Sequence, residues 1–146
     1  MTLEPKAPKT DPRLLSPLAL AFVGDGVYEL LVRERLLDGG TMPVRKLHQK
    51  AVAQVRAAAQ SRAYQAIQSS LTEEETAILR RGRNAHGTRP PRSSDPADYR
   101  RATAVEALFG YLYLCGRLER VQELFEMICR LCPTEDGEQA AVEEDN

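Results

Sequence analysis

Asp25 and Glu106 are carboxylates set where the apolar spacing is densest. In LALAFVGDGVYELLVRERLLDGG, helical periodicity puts Asp25 between Leu18, Ala21, Phe22, Tyr28 and Val32. In ATAVEALFGYLYL the same periodicity sets Glu106 among Ala102, Phe109, Gly110 and Tyr113. Two separate helices are therefore expected to aim a carboxylate inward. A buried carboxylate needs a donor, a cation or a metal, and two that face each other repel unless positive charge lies between them. Three arrangements meet that need. Asp25 bonds an Arg or Tyr across the core, Glu106 pairs with an Arg such as Arg33 or Arg56, or the two share a Mg²⁺. Mg²⁺ keeps several waters and takes substrate phosphate oxygens, so one or two protein carboxylates suffice. Glu29 lies near the Asp25 face, but Arg33 four residues on offers it an ordinary ion pair.

Between the two carboxylates runs a basic stretch, RRGRNAHGTRPPRSSDPADYRR, from Arg80 to Arg101. It holds seven Arg and His86 against Asp95 and Asp98. Such a run is either a solvated loop or a surface that neutralises phosphates. Other chemistry is poorly supported. His48 and His86 have no companion ligands at metal spacing, which leaves them surface or nucleic-acid contact roles. Cys129 and Cys132 form a lone CxxC, expected to be a helix-end pair of core thiols. Gly24 and Gly26 flank Asp25 without the strand of a phosphate-cradling loop, and close helix packing explains them better.

The elements that must position these groups are all helical. Ser16-Pro17 supplies an N-cap and a first-turn proline for a long helix that Gly39-Gly40 stops. Two or three helices follow Met42-Pro43. Thr72 and Glu75 form a capping-box pattern, and that helix runs into the basic loop at Gly87, Pro90 and Pro91. A long helix begins at Pro96 and ends near Gly116, and an amphipathic one ends before Pro133. No strand alternation appears, so the fold class is all-α.

A chain of 146 residues with 42% hydrophobic and 28% charged residues is long enough for one buried core. Its net charge of −1 hides a segregation, since residues 133–146 hold six acids and no Lys or Arg. The remaining residues carry 20 cations against 15 anions. No span of membrane length and no secretory leader is readable, and the odd cysteine count suits reduced thiols, so a cytoplasmic location is expected. Residues 1–13 read as a flexible N-terminus, 14–132 as the folded domain and 133–146 as an acidic flexible tail.

LALAFVGDGVYE resembles the signature stretch of the ribonuclease III catalytic domain, and ATAVEALFGYLYL resembles the second block of that family. With RRGRNAHGT and LHQK between them and no double-stranded-RNA-binding domain following, residues 14 to about 131 look like the short bacterial Mini-ribonuclease III subfamily. The resemblance implies that Asp25 is the catalytic aspartate and Glu106 the catalytic, metal-binding glutamate. It implies a homodimeric helical domain whose valley holds double-stranded RNA, with one site per subunit and one strand cut by each. Ala21 and Thr103 stand where longer members have a glutamate and a metal-binding aspartate, which implies one firmly held Mg²⁺ per site. Arg81, Arg83, Arg89 and Arg92 are expected to contact the RNA.

The implied activity is Mg²⁺-dependent, double-strand-specific endoribonuclease action. Its expected substrate is the large-subunit (23S) ribosomal RNA precursor, with possible assistance from a ribosomal protein. Two other classes compete on the residues alone. One is a noncatalytic helical RNA-binding or ribosome-assembly module, suggested by Ala21 and Thr103. The other is a helical dimerisation protein whose arginines merely solvate a loop.

Overall fold

The computed structural model describes residues 9–85 and 92–133, together with Lys6 and Pro90. Six α-helices build it: α1 (Pro17–Asp38), α2 (Val44–Val55), α3 (Ala57–Ile67), α4 (Glu73–Arg83), α5 (Pro96–Leu114) and α6 (Leu118–Leu131). Short 3-10 turns occupy Pro12–Leu14 and Gln68–Ser70, and no strand occurs among the described residues. The all-α expectation holds.

Local chemistry sets the helix starts. Ser16 Oγ accepts from the Ala19 N–H at 3.1 Å, and Pro17 opens α1. Thr72 and Glu75 close a reciprocal capping box at α4, with bonds of 2.9 and 3.1 Å. Asp95 accepts from the N–H groups of Ala97 and Asp98 at the start of α5. Gly116, at φ +75°, turns the chain from α5 into α6 in a conformation that side-chain-bearing residues avoid.

Helix α5 is the central element, packed against α1, α3 and α4. Val105, Leu108, Phe109 and Leu112 are fully enclosed. Each such side chain contributes roughly 1.5–3 kcal/mol relative to exposure. The Tyr28 ring meets Phe109 and Phe125 edge-on, with centroids 5.2 and 5.6 Å apart, tying α1 to α5 and α6.

Two glycine crossings bring α1 and α4 close to α5. A Cβ on Gly24 would fall 1.6 Å from the Glu106 carbonyl oxygen, and one on Gly110 would fall 2.0 Å from the Leu20 carbonyl oxygen. Gly24 thus has the packing role expected of it, whereas Gly26 faces open space. At Gly82 a Cβ would lie 2.8 Å from the Ala104 Cα. Elsewhere, buried Glu75 is clamped by Arg120 at 2.8 Å, which also bonds the Ser70 carbonyl and Glu123. The three cysteines are free thiols. Cys129 and Cys132 are half-buried at the end of α6, with Cys129 packed against the core, and burial pushes both thiols up.

Candidate active site

The α1–α5 crossing places Asp25 next to Glu106. Because Gly24 lies against the Glu106 backbone, the residue after it on α1 is brought level with the Glu106 side chain on α5. Asp25, however, is exposed and Glu106 half-buried, so the expectation of two inward-aimed carboxylates is corrected for Asp25. The reason is that α1 is apolar on two faces. Leu20, Ala21, Gly24, Tyr28, Leu31 and Val32 form the buried one. Phe22, expected beside Asp25 in the core, is 83% exposed and belongs to an outer stripe with Leu30 and Leu37.

Glu106 feels this setting strongly. Burial first, then a hydrogen bond from its protonated carboxyl to the Asp25 carboxylate, then the Asp25 charge push it up to about 8. Among the described residues neither carboxylate has an ion-pair partner, so the arginine alternatives are not realised. Arg33 is instead paired with Glu29 at 2.9 Å, as the i,i+4 spacing predicts.

The donor set is small. Ala21 is packed into the core. Thr103, one turn before Glu106 on α5, donates its hydroxyl to the Tyr99 carbonyl at 3.0 Å. Two adjoining carboxylates in a partly desolvated position are hard oxygen donors whose mutual repulsion a divalent cation relieves, and this chemistry fits Mg²⁺.

The expected RNA-contact arginines divide. Arg83 Nη1 donates to the Tyr64 hydroxyl at 3.0 Å, which fixes its guanidinium at the end of α4. Arg81 is exposed but reaches the carbonyls of Arg13 and Leu15 at 3.4 and 3.2 Å, so it also holds the segment entering α1. Arg92 is exposed just before α5. Arg89 and His86 lie outside the described residues, and His48 is exposed on α2, away from the carboxylate pair in sequence and helix. Neither residue type nor spacing singled out Gly82, Arg100 within the basic run, or the exposure of Phe22. A glycine inside the helical run RRGR was the available signal for the first.

The profile of the Ribonuclease III domain matches residues 18–117. That span runs from the first turn of α1 past the end of α5 and so contains both carboxylates. The chain belongs to the ribonuclease III family. It is similar to Mini-ribonuclease 3 of Symbiobacterium thermophilum, 47% identical over 116 residues, which cover 80% of this chain and 89% of the relative. Mini-ribonuclease 3 of Gloeobacter violaceus is 53% identical over 108 residues, or 72% and 76% of the two chains. A crystal structure of a protein from Fusobacterium nucleatum superposes with a TM-score of 0.75 at 34% identity, covering 84% of this chain and 99% of that one. The short Mini-ribonuclease III resemblance is thereby borne out, and with it the class of enzyme, a double-strand-specific endoribonuclease.

Proposed function

We propose that Asp25 and Glu106 together hold one Mg²⁺ and that the chain hydrolyses phosphodiester bonds of duplex RNA at that point. The observation that carries this reading is the carboxylate pair itself, with Glu106 pushed up to about 8 by burial and by Asp25. When bound, Mg²⁺ supplies Lewis-acid stabilisation of the charge that develops on the phosphoryl group. Glu106, fixed by α5 and by the Gly24 contact, is the rigid ligand. Asp25, on the exposed rim, leaves the pair open to a substrate too large to enter a cleft. The bond broken is that to the 3′ oxygen, so products carry 5′ phosphates.

Affinity comes from the chain's own arginines. A-form RNA presents mainly phosphates and 2′-hydroxyls across its shallow minor groove. Arg81, Arg83, Arg89 and Arg92, strung between the helices that bear the carboxylates, supply the complementary charge. The outer α1 stripe of Phe22, Leu30 and Leu37, with the open face of Gly26, supports a homodimer, since large apolar side chains in a row on one helix favour a partner. The cellular reading is cytoplasmic maturation of the 23S ribosomal RNA precursor, open to assistance by a ribosomal protein. No described helix is long and apolar enough to cross a membrane.

The test is incubation with a perfect RNA duplex of about 30 base pairs, long enough to span successive grooves, with Mg²⁺ or with a chelator. Duplex cleavage to 5′-phosphate ends with Mg²⁺ alone, single-stranded RNA being spared, is expected. Binding without cleavage would favour the noncatalytic module.

A further inference from the structure

A hollow of about 400 Å³ lies between the end of α4 and the first turns of α5, on the helix that carries Glu106. Its lining includes Gly82, Arg83, Asn84, Tyr99, Arg100 and Thr103, and no carboxylate. The two acids at the start of α5 are occupied: Asp95 caps the helix, and Asp98 pairs with Arg101 at 3.6 Å. The hollow exists because Gly82 lets α4 approach the α5 backbone at Ala104, which sets Arg83 opposite Thr103. At the α-helical rise, Thr103 is about 4.5 Å and Arg100 about 9 Å along α5 from Glu106.

Two arginines lining one hollow that no carboxylate lines favour an anion there. Arg83 is held from behind by Tyr64, so it is already oriented, while Arg100 is exposed and has no ion-pair partner among the described residues. Thr103 has spent its hydroxyl hydrogen on the Tyr99 carbonyl, so its oxygen faces other groups as an acceptor only. An acceptor lining the same hollow as two cations matches a phosphodiester whose ribose carries a donor.

Resting on the function proposed above, we propose that this hollow holds the phosphodiester neighbouring the scissile one. Arg83 and Arg100 carry its charge, and the Thr103 hydroxyl oxygen accepts from the adjoining 2′-hydroxyl. Thr103 thus serves substrate positioning, and it senses the group that separates RNA from DNA. Arg100 and Thr103 are positioning residues, distinct from the metal-holding pair.

The experiment is a scan of duplex RNAs, each with one neutral methylphosphonate, bound to the Asp25→Asn chain so that the RNA stays intact, with and without Arg100→Ala. One position, beside the bond that the unaltered chain cuts, is expected to lose about 5- to 10-fold in affinity when Arg100 is present and less than about 2-fold when it is absent. Arg100→Ala by itself flattens the dependence of log affinity on log salt by roughly 0.7–0.9, the equivalent of one phosphate. A 2′-deoxy substitution at the same nucleotide is expected to weaken binding to the Thr103-containing chain but not to Thr103→Val. Losses that multiply at every position, or a coupled position remote from the cut, would overturn the proposal. Failure of the catalytic reading shows separately, as absence of Mg²⁺-dependent cleavage by the unaltered chain.

Discussion

Gly24 and Gly110 meet backbone to backbone where α1 crosses α5. A methyl group on Gly110 would come within 2.8 Å of the Gly24 nitrogen and 2.0 Å of the Leu20 carbonyl oxygen. Neither obstacle is a flexible side-chain tip, so the helices themselves must part. Gly110→Ala is expected to cost about 1–3 kcal/mol, the usual range for overpacking. Urea denaturation checks the figure. Cleavage per folded molecule should fall as well, because parting the helices separates Asp25 from Glu106.

The pH response follows from Glu106. Its carboxyl is pushed from 4.5 up to about 8, so between those values the folded chain keeps a proton that the unfolded chain has lost. Without metal, stability therefore falls as pH rises through this window. Glu106→Gln removes the dependence and is expected to gain about 1–2 kcal/mol at pH 8.5, after allowance for solvent screening. Mg²⁺ requires the ionised carboxyl, so its binding at pH 7 should release close to one proton. Calorimetry in buffers of different ionisation enthalpy measures this, and a buffer-independent heat would count against it.

Glu75 shows a buried charge with a purely structural part. Burial pushes its carboxyl up, but hydrogen bonds from Arg120 and from the Thr72 backbone outweigh this and hold it below the usual range. Its side chain is 3% exposed, against 21% for Arg120. Removing one partner of such a pair costs roughly 3–5 kcal/mol. Arg120→Ala is expected near the lower end, since Arg120 is partly solvated, with cleavage per folded molecule unchanged. Thermal unfolding and an activity titration against folded protein separate the two effects.

Phe22 tests the proposed homodimer. It is 83% exposed, so Phe22→Asp removes little from the monomer core and should change monomer stability by under about 0.5 kcal/mol. Sedimentation should show the unaltered chain as a dimer and the variant as a monomer. An unaltered chain that is monomeric at micromolar concentration would contradict this reading.

The helices were legible because their ends are chemical statements. Ser16-Pro17 and Thr72 with Glu75 each make the cap that the residue types predict, and α5 begins at Pro96 as expected. The facing of α1 was not legible, because Phe22, Leu30 and Leu37 are as apolar as the buried Leu20, Leu31 and Val32. Periodicity cannot tell a core stripe from an outer one when a helix carries both. The same ambiguity placed Asp25 inside the core, whereas its meeting with Glu106 was one of three arrangements the residue types allowed. Glu75 with Arg120 and Gly82 with Ala104 were invisible for another reason. Each depends on which helices lie side by side, and composition along one helix does not encode its neighbour.

The most direct measurement compares Asp25→Asn, Glu106→Gln and the double variant in single-turnover cleavage of one RNA duplex at saturating enzyme, with duplex affinity measured in parallel. If both carboxylates serve one metal, each single change should slow cleavage by about 10²–10³-fold. The double variant should be no slower than the worse single one, because losses within one functional unit do not multiply. Affinity for the duplex should stay within about threefold throughout. A Glu106→Gln chain that cleaves within tenfold of the unaltered one, or losses that multiply in the double variant, would contradict a shared site.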